Sequence, residues 1–129
     1  MDKEWLIDNV RLVTGAEGEA ERPGWLWQKD GKIAAVGGAG DPVPPEAANA
    51  ARIDGKGGWL LPGFIDVHVH GGAGHDFMEA DVEKWEAIAR FHAGNGTTGL
   101  LATTVTATKA ELDAVLETAR RCLDTGFSR

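Results

Sequence analysis

Residues 61–70 read LPGFIDVHVH, and GGAG follows at 71–74. An apolar run ends in Asp66-x-His68-x-His70 and then opens into glycines. Along a strand, side chains alternate between faces, so Asp66, His68 and His70 share one side and Ile65, Val67 and Val69 the other. The run Phe64–His70 is expected to be a parallel strand with apolar cover on both faces. Residues two apart lie roughly 6.6 Å apart along it. Two imidazoles at that spacing can lean together onto one ion, at nitrogen–metal distances of about 2.0–2.1 Å. Such a ligand usually has its second nitrogen held by a carboxylate or carbonyl. Asp66 is a candidate for that support, although its side chain can instead bind backbone at the base of the strand. A pair of surface histidines is the alternative reading. Against it stand the position at a strand's C-terminal end, the glycines, and the cost of burying ionisable groups that are neither paired nor ligating.

Reading upstream, the first sixty residues look like short β elements. WLIDNVRLVTG stops at glycine. GWLWQKDGKIAAVGG has the form of a hairpin, with Asp30-Gly31 suited to a type I′ turn, whose two central residues need positive φ. Pro42, Pro44 and Pro45 in DPVPPEAANAA mark a surface connection. ARIDGKGGWLLPG adds a short strand and an Asp54-Gly55 turn.

Downstream, the hydrophobic period changes. Asp81 is expected to cap a helix running to about His92, with Val82, Trp85, Ile88, Ala89 and His92 on one face and Gly94 as a left-handed cap. Thr98–Val105 reads as a second strand. Thr108-Lys109-Ala110-Glu111 is a capping box. It opens a helix with Leu112, Val115, Leu116, Ala119 and Leu123 on one face, Arg120 and Arg121 near its end, and Gly126 as its stop. Strand and helix alternating in this way imply a parallel sheet with crossover helices. The chain thus divides into a β-rich segment, 1–61, and two βα units, 62–129.

The remaining candidates have plainer readings. His75 lies in the glycine loop as a solvated residue, with substrate contact the alternative. His92 is a packed, satisfied histidine. Thr103 and Thr104 stand at the height of the site, and β propensity accounts for them equally well. Cys122 sits just off an apolar helix face as a packing residue. The five tryptophans are assigned to core and interface.

Composition narrows the function. The chain has 129 residues, 43% of them hydrophobic, and a net charge of −7. An acidic chain lacks the basic face that nucleic acid requires. A single cysteine precludes an intrachain disulfide and fits a reducing compartment. The start has no signal-peptide layout, and the longest apolar stretch, GGWLLPGFI, is far short of a membrane span. A soluble, cytoplasmic protein is expected.

LLPGFIDVHVHGG resembles the metal-binding signature of the amidohydrolase superfamily. DGKIAAVG and IDGKGGWLLPG resemble the N-terminal half of its small β-sandwich. Within that superfamily, GGAGHDFMEA and GNGTTGLLATTVT resemble the N-acetylglucosamine-6-phosphate deacetylases. The resemblance covers nearly the whole chain. It implies a (β/α)₈ barrel with its site at the C-terminal face of the strands. One or two divalent ions (zinc or iron first, manganese or cobalt as alternatives) would activate water to release acetate and glucosamine 6-phosphate. His68 and His70 would be ligands of the more buried ion, Asp66 a supporting group, and Gly71, Gly72 and His75 part of a substrate loop. Some relatives have lost the histidine pair; this sequence keeps it. The substrate would be an amino-sugar phosphate, and the full-length protein a homodimer.

Length is the departure, since such a barrel takes about 250 residues. The family's metal-binding Glu, two further histidines, catalytic Asp and phosphate-binding groups have no matching positions here. The expectation is an N-terminal portion carrying no catalytic residue of its own, inactive and marginally folded alone, with open strand edges. The alternatives are another amidohydrolase acting on a cyclic amide, dihydroorotase-like, and a non-catalytic module or decayed gene product.

Overall fold

The computed structural model describes residues 4–125 and shows a mixed α/β chain. It divides into two compact units, Met1–Pro62 and Gly63–Arg129.

The first unit is a sheet of β1 (Trp5–Leu12), β2 (Arg22–Lys29), β3 (Lys32–Gly38) and β4 (Ala51–Asp54). Their order is β3-β2-β1-β4, and the short β5 (Trp59–Leu60) also pairs with β1. The hairpin forms as expected: Lys29 pairs with Lys32, and Asp30 and Gly31 take φ of 51° and 73°. The second turn differs. Its left-handed residues are Lys56 and Gly57, not Asp54 and Gly55. Asp54 instead steers the chain into the turn, its Oδ1 accepting from the Lys56 N–H at 2.8 Å and from Asn9 Nδ2 at 2.7 Å. Asn9, at φ 52°, sits where β1 slips register between Ile7 and Val10. Leu6, Val10 and Leu12 are buried on either side of this bulge.

The core of this unit joins Leu6, Trp25 and Trp27 to Ala47 and Ala50, from and just after the 3₁₀ turn Pro45–Asn49. Trp25 Nε1 donates to the Asp41 carbonyl. Of the tryptophans assigned to core and interface, Trp25 and Trp27 are in the core, while Trp59 is exposed, with the Arg11 guanidinium over its ring.

The second unit begins with β6 (Phe64–Val69), which pairs in parallel with β9 (Thr97–Ala102). Between them come β7 (Gly71–Gly72), β8 (His75–Asp76), a 3₁₀ turn Phe77–Glu79 and helix α1 (Val82–Gly94). Asp81 caps α1 as expected, its Oδ1 accepting from the Glu83 N–H at 2.9 Å. The helix runs past His92 to Gly94, and Gly96, at φ 92°, is the left-handed residue in place of Gly94. β9 stops at Ala102, short of the expected Val105.

The Thr108–Glu111 capping box is present at the start of α2 (Lys109–Thr125). Gly126, the expected stop, lies outside the described residues. The buried face of α2 is rotated from the one expected. Val115, Thr118 and Cys122 are buried, while Leu116 and Leu123 are exposed. Thr118 Oγ1 donates to the Ala80 carbonyl at 3.0 Å, which docks that face on the chain just before α1. The core is Val69, Phe77, Trp85, Ile88, Val115 and Cys122.

The cover expected over both faces of β6 is not realised. Ile65 and Val67 are 74% and 67% exposed, and Val69 alone is buried. Among the described residues β6 has one hydrogen-bonded neighbour, and the unit's core gathers at the C-terminal end of the strand. The face carrying Asp66, His68 and His70 is likewise open, not buried.

Candidate metal centre

Strand period two brings His68 and His70 to one side of β6, with His70 one residue past its end. Their rings meet edge to face, centroids 5.0 Å apart. The two Nε2 atoms face each other at 3.2 Å. Two imidazole nitrogens at that separation fit a common ion at about 2.0–2.1 Å from each. The donor set therefore suits a divalent metal that takes histidine. Among the described residues, no group of three or more His, Cys, Asp or Glu side chains is gathered for a metal.

The support for the rings differs from the primary expectation. Asp66 Oδ1 accepts from the backbone N–H of His68 at 3.1 Å, the alternative role open to it at the base of the strand. The ring of His70 is held from another strand, its Nδ1–H donating to the Thr103 carbonyl at 3.1 Å. A carbonyl only accepts, so the direction of that bond is set. The sequence puts Thr103 at the height of the site but does not mark its carbonyl for this role. Its partner is 33 residues away and is brought to it by the pairing of β6 with β9.

Gly71 and Gly72 form a small antiparallel pair with Asp76 and His75, turned by Ala73 and Gly74 at φ 54° and 82°. The expected glycine loop is thus a tight hairpin. Its glycines admit close neighbours: a Cβ on Gly71 would lie 2.1 Å from the His75 carbonyl oxygen. His75 does not join the histidine pair. Its Nδ1 lies 3.4 Å from Glu79 Oε2. His92 is satisfied, as expected, by the Gly71 carbonyl at 3.0 Å, which ties α1 to the backbone immediately after His70. The buried Cys122 thiol is pushed up by desolvation, as befits a packing residue.

The fold is a mixed α/β one in which a strand with a parallel partner ends in two imidazole nitrogens placed as a pair of metal donors. The chain is a homologue of enzymes of the amidohydrolase superfamily. It is 39% identical over 78% of its length to an N-acetylglucosamine-6-phosphate deacetylase of Lysinibacillus sphaericus, spanning 24% of that protein. It is 40% identical over 90% of its length to an imidazolonepropionase of Aromatoleum aromaticum, spanning 28% of it. In structure it matches an N-acetylglucosamine-6-phosphate deacetylase of Pasteurella multocida with a TM-score of 0.81 at 26% identity. That match covers 94% of this chain and 31% of the other. The chain thus spans about a quarter to a third of the relatives it matches. No protein-family model matches it. Among the described residues, no helix is long and apolar enough to cross a membrane.

Proposed function

We propose that the chain is part of a metal-dependent amidohydrolase that hydrolyses the N-acetyl amide of N-acetylglucosamine 6-phosphate, giving acetate and glucosamine 6-phosphate. One observation carries this reading: the two Nε2 atoms of His68 and His70 converge at 3.2 Å beside a strand end. The deacetylases among its relatives support the substrate. His68 and His70 would hold one ion, zinc or iron before manganese or cobalt. Bound there, such an ion supplies an activated water and polarises a carbonyl. The chain's own part is to aim the two nitrogens, with Asp66 bracing the backbone of His68. Gly71, Gly72 and His75 would border the substrate. In this reading β6 and β9 are strands of a (β/α)₈ barrel and the first unit is part of a small β-sandwich. The protein works in the cytoplasm as a homodimer.

Two nitrogen ligands without a third protein group leave an ion mostly in water. The chain by itself is therefore expected to bind metal without turning substrate over. A second reading, an amidohydrolase acting on a cyclic amide, is supported by the imidazolonepropionase match, of similar identity and coverage. The test is metal content of the purified chain against His68→Ala/His70→Ala, with acetate release from N-acetylglucosamine 6-phosphate assayed on the protein encoded by the whole gene. Equal metal in the two samples sinks the ligand assignment. Hydrolysis of a cyclic amide with no acetate release moves the substrate to the second reading.

A further inference from the structure

We infer that Thr103 is the positioning residue of the histidine pair: it presets His70 for an ion and leaves His68 as the ring that must change. The inference rests on the metal reading above and concerns residues that reading does not use.

Thr103 lies just beyond β9, and both its backbone and its side chain are fastened. Its N–H donates to the Val69 carbonyl at 2.9 Å, and its Oγ1 accepts from the Val69 N–H at 3.1 Å. The same hydroxyl donates to the Leu101 carbonyl at 3.1 Å. Val69 itself is buried in the core of the unit. Thr103 is thereby anchored to the residue immediately before His70, and its carbonyl is aimed at His70 Nδ1.

The chemistry of that acceptor decides the tautomer. Because the carbonyl takes a hydrogen and cannot give one, neutral His70 carries its proton on Nδ1 and keeps the Nε2 lone pair free. His68 Nε2 stands 3.2 Å from that lone pair. In the metal-free neutral pair, His68 is therefore the donor and carries its proton on Nε2. An ion held by both Nε2 atoms needs a lone pair on each. His70 already offers one. His68 must release its Nε2 proton to solvent and take one up on Nδ1, so that the ring stays neutral and the proton count balances.

The experiment is nitrogen-15 NMR of the imidazoles in the full 129-residue chain, under conditions where both rings are neutral, with and without zinc. The expected metal-free spectrum shows His70 with Nδ1–H and His68 with Nε2–H. Zinc converts His68 to Nδ1–H and leaves the proton of His70 in place. Thr103→Val keeps the shape but cannot accept from the Val69 N–H. It should mix the His70 tautomers and weaken zinc binding roughly 10–100-fold, the usual effect of losing the support behind a ligand. Thr103→Ser should restore both. A metal-free His70 protonated on Nε2 overturns the inference, and so does a Thr103→Val protein with a locked His70 and wild-type zinc affinity. The wild-type spectrum decides the matter even if Thr103→Val fails to fold. If the wild type binds no zinc, the metal reading fails, while the metal-free tautomer still upholds or overturns the role of Thr103.

Discussion

The two units handle their strands in opposite ways. In the first, β1 is flanked by β2 on one side and by β4 and β5 on the other, and Leu6, Trp25 and Trp27 are buried against the 3₁₀ turn at Ala47. In the second, β9 is the one strand paired with β6 among the described residues, and Ile65 and Val67 face solvent. The difference lies in where the apolar cover sits. The first unit puts it over the middle of its strands. The second gathers Val69, Phe77, Trp85 and Ile88 at the C-terminal end of β6, just beneath the histidines. Burial there anchors Val69, the residue before His70, and leaves Ile65 and Val67 uncovered.

The largest test of that contrast compares two buried tryptophans. Trp85 is 3% exposed, stacks edge to face on Phe77 and donates its Nε1–H to the Phe77 carbonyl at 3.0 Å. Trp85→Ala should cost about 3–5 kcal/mol in chemical denaturation. Trp27 is also buried, but its Nε1 has no hydrogen-bond partner. Trp27→Phe removes a donor that is already unsatisfied and should cost less than about 1.5 kcal/mol. A loss at Trp27→Phe as large as that at Trp85→Ala would show that the Trp27 indole N–H is not idle.

A smaller effect is expected at Thr118, which joins α2 to the carbonyl of Ala80. Thr118→Val keeps the volume and removes the hydroxyl, leaving that carbonyl without the α2 contact. The expected loss is about 1 kcal/mol in thermal or denaturant melts. No change would mean that the rotated face of α2 is held by apolar contact alone.

The smallest effect concerns acid. Lys84 beside Glu79, then the Asp76 N–H, and finally the charge of His75 hold the Glu79 carboxyl down to about 2, from an ordinary 4.5. A carboxylate depressed in the folded state stabilises it above the ordinary value. That stability is lost as pH falls from 4.5 toward 2. Glu79→Gln should flatten the acid limb in that window by lowering stability slightly at neutral pH and converging with wild type near pH 2; the effect is small because the site is solvent-exposed. An acid limb identical to wild type would remove Glu79 from the account.

Much of the local geometry was legible because it is decided within a few residues. Asp30-Gly31 makes its turn, Asp81 and Thr108 cap their helices, and period two puts His68 and His70 side by side. These depend on φ preferences, short side-chain reach and strand alternation, all written into neighbouring positions. Other features needed the assembled chain. Apolar spacing left the buried face of α2 uncertain by one side chain, and docking on Ala80 chose Thr118 and Cys122 over Leu116 and Leu123. Asp66 offered two roles on paper, and the backbone of His68 took it. The acceptor that orients His70 is the carbonyl of Thr103, a group every residue possesses, so no residue type could announce it. The sequence alone determined that two histidines meet at the end of a strand. The register of β6 against β9 decided which atom holds one of them, because that register is set by packing between segments far apart in the chain.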